Sequence, residues 1–212
     1  MKTLAVLLAA LLVLSGCRSP WDRRLAEAGA DPGITSFLEV RCMEGSDARV
    51  FFYTRGVSGK LRKLAEGDAY IGRNGLGKTR EGDAMTPEGD FGTGTAFGIP
   101  PFSDTEMDYL QLHPGIIACD SEGPWYNTIV DTVGTGIRLT GEDMYATVPE
   151  YYYGLEIAYN AERKYPAGSA IFLHCKGAKT WTGGCVAVDR ELMETILRRG
   201  GRGMRVSIHP AD

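Results

Sequence analysis

The stretch Ser169–Val188, SAIFLHCKGAKTWTGGCVAV, predicts the centre of the fold. An apolar run ends at His174 and Cys175, a polar segment with glycines follows, and an apolar run resumes after Cys185. Apolar runs of this kind, without alternating polar residues, are typical of strands covered on both faces. The stretch therefore predicts a strand, a loop and a second strand, with a histidine and a cysteine placed on core elements.

The rest of the mature chain also favours strands. The full sequence is rich in glycine, with 28 among 212 residues, which is typical of a turn-rich fold. Strand patterns occur in SFLEVRC, ARVFFYTRG and YYYGLEIAYN, and we interpret KLRKLAEGDAYIG as two short strands around a turn. DRELMETILRRGG is the best candidate helix, with Asp189 as its expected cap, one apolar side and Gly200 at its end. We predict one mainly β domain over residues 35–212.

The first residues predict export. MKTLAVLLAALLVLSGC combines one lysine with an apolar run too short to span a bilayer permanently, which is the layout of a secretory signal. Its Leu-Ser-Gly-Cys end resembles the lipobox of bacterial lipoproteins, which implies cleavage before Cys17 and acylation of that residue. We expect a signal peptide over 1–16, membrane attachment through lipid on Cys17, and a tether over 17–34. A plain signal peptide with a chance cysteine is the alternative.

Export sets the expected surroundings of the other cysteines. Cys42, Cys119, Cys175 and Cys185 would meet an oxidising compartment, where disulfides form. Four cysteines allow three pairings, among which the sequence does not choose. A working nucleophile would leave at most one bridge within the chain. The expected location is the periplasmic face of the cell envelope. The outer membrane is favoured, because Arg18 is not the aspartate that favours inner-membrane retention in some bacteria.

Two ligand classes receive no support from the sequence. A formal net charge of -4 gives no basic face for nucleic acid. Residues 72–79, GRNGLGKT, match the phosphate-loop pattern G-x-x-x-x-G-K-[ST], whose mechanism needs a helix directly after the Lys-Thr pair. Gly82, Pro87 and Gly89 follow, and they disfavour a helix there. We interpret the segment as a glycine-rich surface loop and expect no nucleotide site.

Three interpretations of the segment from His174 to Cys185 remain. The first is core packing, since cysteine is often buried and a histidine at a strand end is often only held by hydrogen bonds. The second is a zinc site built from His174, Cys175 and Cys185. Neighbouring strand residues point to opposite faces, so His174 and Cys175 would rarely bind one ion. The third is a catalytic pair of Cys185 and His174, with Cys175 as a core or disulfide cysteine.

The catalytic interpretation agrees best with the local pattern. A base or cation beside a thiol favours the thiolate, so we expect an exposed Cys185 of low pKa beside His174. The glycines before Cys185 let a substrate approach, and the N–H groups of Gly184 and Cys185 are the expected oxyanion donors. Thr182 and Gly183 are expected to contact the substrate beside Cys185.

The same segment resembles the catalytic signature of the L,D-transpeptidase (YkuD-like) family. His174 matches the histidine at the strand end, and Thr182–Cys185, TGGC, matches the Ser/Thr-x-Gly-Cys that follows. Further similarity covers GKTREGDAMTPEGDFGTGTAFG, GPWYNTIV and GSAIFLHC with GGCVAV, from about Ala69 to the carboxyl terminus. The resemblance implies a mostly antiparallel β-sandwich or barrel-like sheet with one or two short helices.

The resemblance also implies a reaction. In this family a cysteine thiolate attacks the carbonyl of meso-diaminopimelate in a peptidoglycan stem tetrapeptide, and the terminal D-alanine leaves. An amine of a second stem, a protein amine or water then resolves the acyl-enzyme. By position Cys185 is the nucleophile and His174 the base, and no metal or organic cofactor is implied. Tyr126 and Asn127 are candidates to line the substrate groove, with buried packing as an equal alternative for them.

Two departures from the family pattern bear on the substrate. Gly183 stands where many members have a histidine, and Val186 and Ala187 stand where an arginine that faces the substrate carboxylate is common. We predict an exported, lipid-anchored acyltransferase of the cell wall. The alternatives are a hydrolase of the same bond or of a cross-link, and a lipoprotein that binds peptidoglycan without catalysis.

Overall fold

The chain folds around two β-sheets. A computed structural model describes residues 19–211. The helices are α1 (Pro20–Ala30), α2 (Thr132–Thr135) and α3 (Arg190–Arg199), and a 3-10 turn spans Glu150–Tyr152. The strands are β1 (Ser36–Cys42), β2 (Asp47–Arg55), β3 (Leu61–Tyr70), β4 (Gly89–Phe91), β5 (Thr93–Gly98), β6 (Tyr109–Gln111), β7 (Ile116–Cys119), β8 (Thr128–Asp131), β9 (Glu142–Asp143), β10 (Tyr153–Ile157), β11 (Phe172–Cys175), β12 (Val186–Val188) and β13 (Met204–Pro210). The predicted mainly β fold is confirmed, with three helices in the described residues where one or two were expected.

The large sheet has ten strands in the order β4-β13-β1-β2-β3-β12-β11-β10-β5-β6. Most neighbours in it are antiparallel, and the parallel pairs are β1 with β13, β11 with β12, and β5 with β6. Strands β8, β7 and β9 form a second, antiparallel sheet. The sequence does not reveal this small sheet, because strands of two to four residues are too short to show a periodic pattern.

Strands β11 and β12 lie in the middle of the large sheet and are buried on both faces. On one face Leu173 and Val186 join the main core, to which helix α3 contributes its apolar side. On the other face Phe172 and Cys185 pack with residues of β7 and of the 3-10 turn. Every residue of both strands is buried, as the continuous apolar runs predict. The candidate site therefore begins on a rigid, two-sided core.

Helix α3 confirms the helix predicted near the end of the chain. Its buried residues are the predicted apolar stripe, Leu192, Met193, Ile196 and Leu197. Gly200 ends the helix and donates its N–H to the Ile196 carbonyl oxygen. Asp189 precedes the helix but makes no side-chain cap, and its carboxylate instead accepts a hydrogen bond from Lys176 at 3.1 Å. The helix is therefore held by its buried side and not by the expected cap.

Strand β3 corrects the prediction of two short strands around a turn. It runs without interruption for 10 residues, with Gly67 inside it. A Cβ at Gly67 would lie 2.9 Å from the side chain of Leu192 on α3. The glycine lies where the helix packs closely on the sheet, and the chain does not turn there.

The expected tether over 17–34 is wrong for most of its length. Helix α1 begins after Ser19, whose side chain accepts the N–H of Asp22 at 3.1 Å in a capping box. Trp21 is only 3% exposed, and its indole N–H contacts the carbonyl oxygens of Pro210 and Ala211 at 3.2 and 3.1 Å. The helix is thus docked on the domain. The predicted signal peptide over 1–16 and Cys17 lie outside the described residues. Within residues 19–211 no helix is both long and apolar enough to cross a membrane.

Candidate active site

One cavity of about 330 Å³ brings together most of the residues singled out in the sequence. Cys185, His174 and the loop over Thr182–Gly184 line it. Part of the loop that carries Lys78 and the Ala118 position of β7 complete its wall. The volume is at the lower end of the range for small-molecule and peptide side-chain sites.

The register of β11 and β12 puts the thiol and the imidazole on the same face of the sheet. His174 pairs with Ala187 in the parallel ladder. Cys185 lies two residues before Ala187 and Phe172 two residues before His174, so all four side chains point to one side. The N–H of Phe172 contacts the Cys185 sulfur at 3.3 Å, which fixes the sulfur beside β11.

Cys175 points the other way, as predicted. It is 2% exposed and belongs to the main core, and its thiol donates to the Tyr153 carbonyl oxygen at 3.6 Å. All four cysteines in the described part of the chain are buried free thiols, so no disulfide joins them. His174 and Cys175 do not converge on one point, as the alternation of strand side chains requires.

The Cys185 thiol is buried and protonated at neutral pH. It is 8% exposed, and it donates to the Ala170 carbonyl oxygen at 3.3 Å. Burial raises the pKa of the Cys185 thiol to about 12, the Glu142 carboxylate adds to the rise, and the N–H of Phe172 and the ammonium of Lys78 oppose it. The expectation of an exposed cysteine with a low pKa is therefore wrong.

His174 is held as a neutral base. Its side chain is buried, and its Nδ1 lies 2.8 Å from the Cys175 carbonyl oxygen. Because a carbonyl oxygen only accepts, Nδ1 carries the hydrogen and Nε2 is the basic nitrogen. Burial lowers the pKa of His174, although this hydrogen bond and the charge of Glu150 act in the opposite direction. The imidazole can therefore accept a proton at neutral pH.

The glycine loop before Cys185 is shaped by contacts from within the protein. Gly184 has a φ of +145°, and a Cβ there would lie 2.8 Å from the Met85 carbonyl oxygen. Its N–H donates to the Thr182 hydroxyl oxygen at 3.0 Å, and that hydroxyl donates to the Cys185 carbonyl oxygen at 2.7 Å. The sequence analysis expected the Gly184 N–H to bind an oxyanion, but this N–H is already used within the loop. Thr182 mainly holds the loop in its conformation.

Two backbone donors of the same loop are available. Within the described residues, neither Gly183 nor Cys185 donates its N–H to a protein acceptor. Gly183 also lies in open space, with nothing within 4 Å of where its Cβ would be. A substrate oxygen could therefore approach the backbone at Gly183 and Cys185.

Thr86 is a residue of the site that the sequence analysis did not identify. It is fully buried, and its hydroxyl donates to the Gly184 carbonyl oxygen at 2.8 Å and accepts the Gly72 N–H at 2.8 Å. It thereby ties the loop before the cysteine to the segment at 72–86. The signal for this role is present in the Thr-Pro of MTPEGDF, which carries part of the family resemblance without a stated function.

Tyr126 does not line the cavity. It is 1% exposed, its hydroxyl donates to Glu81 Oε1 at 2.6 Å and accepts the Gly168 N–H at 2.8 Å. The predicted contact with substrate is therefore not supported by its position. The side chain holds together two segments that border the cavity.

Asn127 also lies behind the cavity wall. Its side-chain oxygen accepts the Ala170 N–H at 3.0 Å, and its side-chain nitrogen donates to the carbonyl oxygens of Tyr159 and Asn160 at 3.0 Å each. Ala170 has a φ of +52°, an unfavourable value for alanine. Asn127 thus supports Ala170, whose carbonyl oxygen accepts the hydrogen bond from the Cys185 thiol. The sequence analysis offered Asn127 as a residue of the substrate groove, and its position does not support that role.

The segment over 72–79 lacks the geometry of a phosphate loop. Residues 79–88 form turns and one isolated bridge instead of a helix, so no helix amino terminus follows Lys78. The Lys78 side chain instead lines the cavity and forms a buried ion pair with Asp83, with 3.0 Å between Nζ and Oδ1.

The charged lining of the cavity contains both signs. Its charged members are Glu81, Asp120, Glu142, Glu150, Lys78 and Lys179. This set suits a ligand that carries ammonium and carboxylate groups together. Within residues 19–211, no group of three or more His, Cys, Asp or Glu side chains is arranged to hold a metal ion.

Comparisons with known proteins give a family and a distant structural likeness. Residues 45–208 match the family model described as YkuD, the L,D-transpeptidase catalytic domain. Among solved structures the chain is similar to the helical cell shape determining protein Pgp2 from Campylobacter jejuni, at 16% identity and a TM-score of 0.43, over 90% of this chain and 55% of that one. A point mutant of Pgp2 matches at 17% identity and a TM-score of 0.45, over 89% and 53%. The chain thus spans about half the length of these structures. No curated protein matches the sequence.

Proposed function

The chain belongs to the L,D-transpeptidase catalytic domain (YkuD) family, and on that premise we propose that it is a cysteine acyltransferase that acts on peptidoglycan stem peptides. One observation carries the proposal: His174 on β11 and Cys185, directly before the parallel neighbour β12, face a single cavity. The family suggests the substrate class. A thiol, a neutral imidazole and two backbone N–H groups without a protein acceptor in the described residues support the proposed roles of nucleophile, base and oxyanion donors.

In the first half-reaction the Cys185 sulfur attacks the carbonyl carbon of diaminopimelate in a stem tetrapeptide. His174 Nε2 takes the thiol proton as the sulfur–carbon bond forms. The carbonyl oxygen becomes an oxyanion, which the N–H groups of Gly183 and Cys185 stabilise. The oxyanion then re-forms the carbonyl as His174 gives the proton to the former amide nitrogen of the terminal D-alanine, the carbon–nitrogen bond breaks, D-alanine leaves as an amine, and a thioester remains on Cys185.

In the second half-reaction a nucleophile enters where D-alanine left. His174 Nε2 takes its proton, the nucleophile attacks the thioester carbonyl, and the sulfur leaves and recovers the proton from the imidazole. An amine acceptor gives a new peptide bond, and water gives a free acid. The four carboxylates in the cavity lining attract an acceptor that arrives in its ammonium form. This ammonium must first release one proton to solvent, and His174 then takes the second proton as the neutral amine attacks. The attraction raises the local concentration of the amine, which favours transfer to a second stem over hydrolysis.

The resting state is a neutral pair and not a preformed thiolate and imidazolium. The pKa of Cys185 is raised to about 12, and the pKa of His174 is lowered. The thiol also donates to the Ala170 carbonyl oxygen in the resting state, so its S–H must turn about the Cβ–Sγ bond before His174 can receive the proton. Proton transfer is therefore coupled to attack on the substrate.

Digestion of treated peptidoglycan tests the proposal. Wild-type protein and Cys185→Ala are each incubated with purified peptidoglycan, and the muropeptides are measured by mass spectrometry. We expect the wild type alone to release D-alanine from tetrapeptides and to form new cross-links at diaminopimelate. Loss of D-alanine without cross-links would identify the hydrolase alternative, and binding without any product would identify a non-catalytic lipoprotein.

We further propose that the protein is exported and held by lipid on Cys17 at the periplasmic face of the outer membrane. The signal and lipobox patterns of residues 1–17 support this. Because α1 begins at Pro20 and is docked through Trp21, only Arg18 and Ser19 would separate the lipid from the folded domain. Incorporation of labelled palmitate into the wild type but not into Cys17→Ala tests the anchor. Equal labelling of both would contradict it.

A further inference from the structure

Lys78 places a buried cation beside the residue that precedes the nucleophile. Its side chain is 3% exposed and lines the cavity. Its Nζ lies 3.5 Å from where a Cβ on Gly184 would be. An ammonium group is therefore fixed at the inner wall of the cavity, next to the loop that carries Cys185.

The hydrogen bonds of Lys78 leave one donor unused. Nζ donates to Asp83 Oδ1 at 3.0 Å and to the Arg80 carbonyl oxygen at 3.3 Å. An ammonium group has three donors, and within the described residues no third protein acceptor is in contact with it. Since the group also lines the cavity, the third N–H is available to a bound ligand.

Asp83 holds Lys78 in place. Its carboxylate also accepts the N–H groups of Thr79, Arg80 and Met85. Burial opposes ionisation of Asp83, yet these hydrogen bonds and the one from Lys78 keep its pKa at about 2. The carboxylate is therefore charged at any neutral pH, and its lone pairs are already used.

The other charged residues that line the cavity are mostly acidic, so they would repel the carboxylate of a ligand. Four carboxylates line the cavity, and the second lysine, Lys179, is exposed. Its Nζ lies 4.7 Å from the centroid of the Trp181 ring, where the ring face already stabilises it. Lys78 is thus the one buried cation among the described residues that a carboxylate in the cavity could meet.

We propose that Lys78 binds a carboxylate of the substrate and so determines which stem peptides react. The inference rests on the proposed function and names a specificity residue for it. The carboxylate could be that of the leaving D-alanine or the side-chain carboxylate of diaminopimelate. In both cases an ammonium–carboxylate hydrogen bond forms in a buried site, where its loss weakens binding strongly.

The test compares one stem tetrapeptide with two amides of it, one at the terminal carboxylate and one at the diaminopimelate side chain. Release of the terminal residue is measured with the full-length wild type. We expect one of the amides to react with a kcat/KM about 10- to 100-fold lower than the acid, mainly through KM. The amide that loses activity identifies the carboxylate that Lys78 binds.

Variants then assign the discrimination to Lys78. Lys78→Met should react with the acid and the amide at similar, low rates, so that the preference is lost. If Lys78→Met does not fold, the double variant Lys78→Met with Asp83→Asn replaces it in the same assay, because the double variant leaves no unpaired buried charge. Lys176→Met is the control, since Lys176 forms a partly exposed ion pair with Asp189 at 3.1 Å and does not itself line the cavity, and it should keep the wild-type preference.

Two results would overturn the inference alone: a wild type that processes both amides as fast as the acid, or a Lys78 variant that keeps the preference. Alkylation of Cys185 by iodoacetamide separates a third case. If Lys78→Met slows alkylation and lowers turnover of acid and amides equally, Lys78 acts on the thiol and not on the substrate. If the wild type processes neither the acid nor the amides, the proposed function fails, and the inference fails with it.

Discussion

Cys175 ends β11 and Cys185 directly precedes the neighbouring β12, and the two side chains point to opposite faces of the sheet, yet their thiols have similar properties. Both are buried, at 2% and 8% exposure. Burial raises the pKa of Cys175 to about 11 and that of Cys185 to about 12. Each thiol donates to a backbone carbonyl oxygen. By the properties of the sulfur alone, neither cysteine is marked as a nucleophile.

What differs is the surroundings of each thiol. Cys175 faces the main core beneath α3, whereas Cys185 shares its cavity with a neutral imidazole and with backbone donors that have no protein acceptor. A buried cysteine can therefore be a structural residue or a nucleophile according to what it faces. The reactivity of Cys185 comes from a base that removes its proton during attack, and not from a low pKa in the resting state.

The largest expected difference is between the alanine variants of the two cysteines. Cys185→Ala should lose roughly a thousandfold or more of the D-alanine release, because the covalent route is removed. Cys175→Ala should keep its activity and lose about 1 kcal/mol of unfolding free energy, because only packing is changed. Turnover assays and urea unfolding of both variants measure this. Comparable activity losses would mean that the two faces are not functionally distinct.

His174 provides the next largest effect. His174→Ala should lower kcat about 10²- to 10⁴-fold, since His174 is the one imidazole among the described residues that line the cavity. Burial lowers the pKa of His174, so the imidazole stays neutral on the acid side of its ordinary value near 6.5. The acid limb of the wild-type kcat/KM profile is therefore expected below that value. A limb at or above it would contradict the neutral-base account.

Thr86 tests whether the loop before Cys185 must be held. Thr86→Val keeps the side-chain shape but removes the bonds to Gly184 and Gly72, so we expect a loss of about 1–3 kcal/mol of unfolding free energy. Activity should fall by about tenfold or more in the folded variant, because the loop that carries the nucleophile is misplaced. Thr195→Val on α3 is the control and should change both by little. Full activity in folded Thr86→Val would show that this anchor is dispensable.

The smallest effect concerns alkaline pH and should be shared by both cysteines. Because their folded-state pKa values are raised, each thiol contributes stability that is present below the ordinary thiol pKa near 8.5 and is lost as the pH rises toward the folded value. Above about pH 9 the unfolding free energy of the wild type should fall as the pH rises. In Cys175→Ala and in Cys185→Ala the slope of this fall should be smaller by about 1 kcal/mol per pH unit. Urea unfolding at several pH values checks this. Unchanged slopes would show that the thiols are not held protonated.

The sequence predicts those features that depend on local patterns. Apolar runs predict β11 and β12, and the spacing of Leu192, Met193, Ile196 and Leu197 predicts α3. The alternation of side chains along β11 predicts that His174 and Cys175 part to opposite faces. These features depend on residues that are close together in the sequence, so they can be predicted without the tertiary structure.

The predictions that were wrong concern features that depend on contacts between distant segments. Gly67 resembles a turn residue until Leu192 is seen to pack against it, and Trp21 belongs to an apparent tether until its indole meets the end of β13. Asn127 resembles a groove residue, yet it supports Ala170 behind the nucleophile. Burial raises the pKa of the Cys185 thiol, and the cluster that buries it joins distant segments, including the small sheet, which leaves no pattern in the sequence.

Trapping of the acyl-enzyme tests the central claim most directly. The wild-type protein is mixed with a synthetic stem tetrapeptide, quenched in acid within seconds, and analysed by intact-mass and peptide mass spectrometry. The account predicts an adduct equal to the tetrapeptide less its terminal D-alanine, attached as a thioester to the peptide that contains Cys185, and absent in Cys185→Ala. Release of D-alanine without any adduct at Cys185, or an adduct on Cys175, would contradict it.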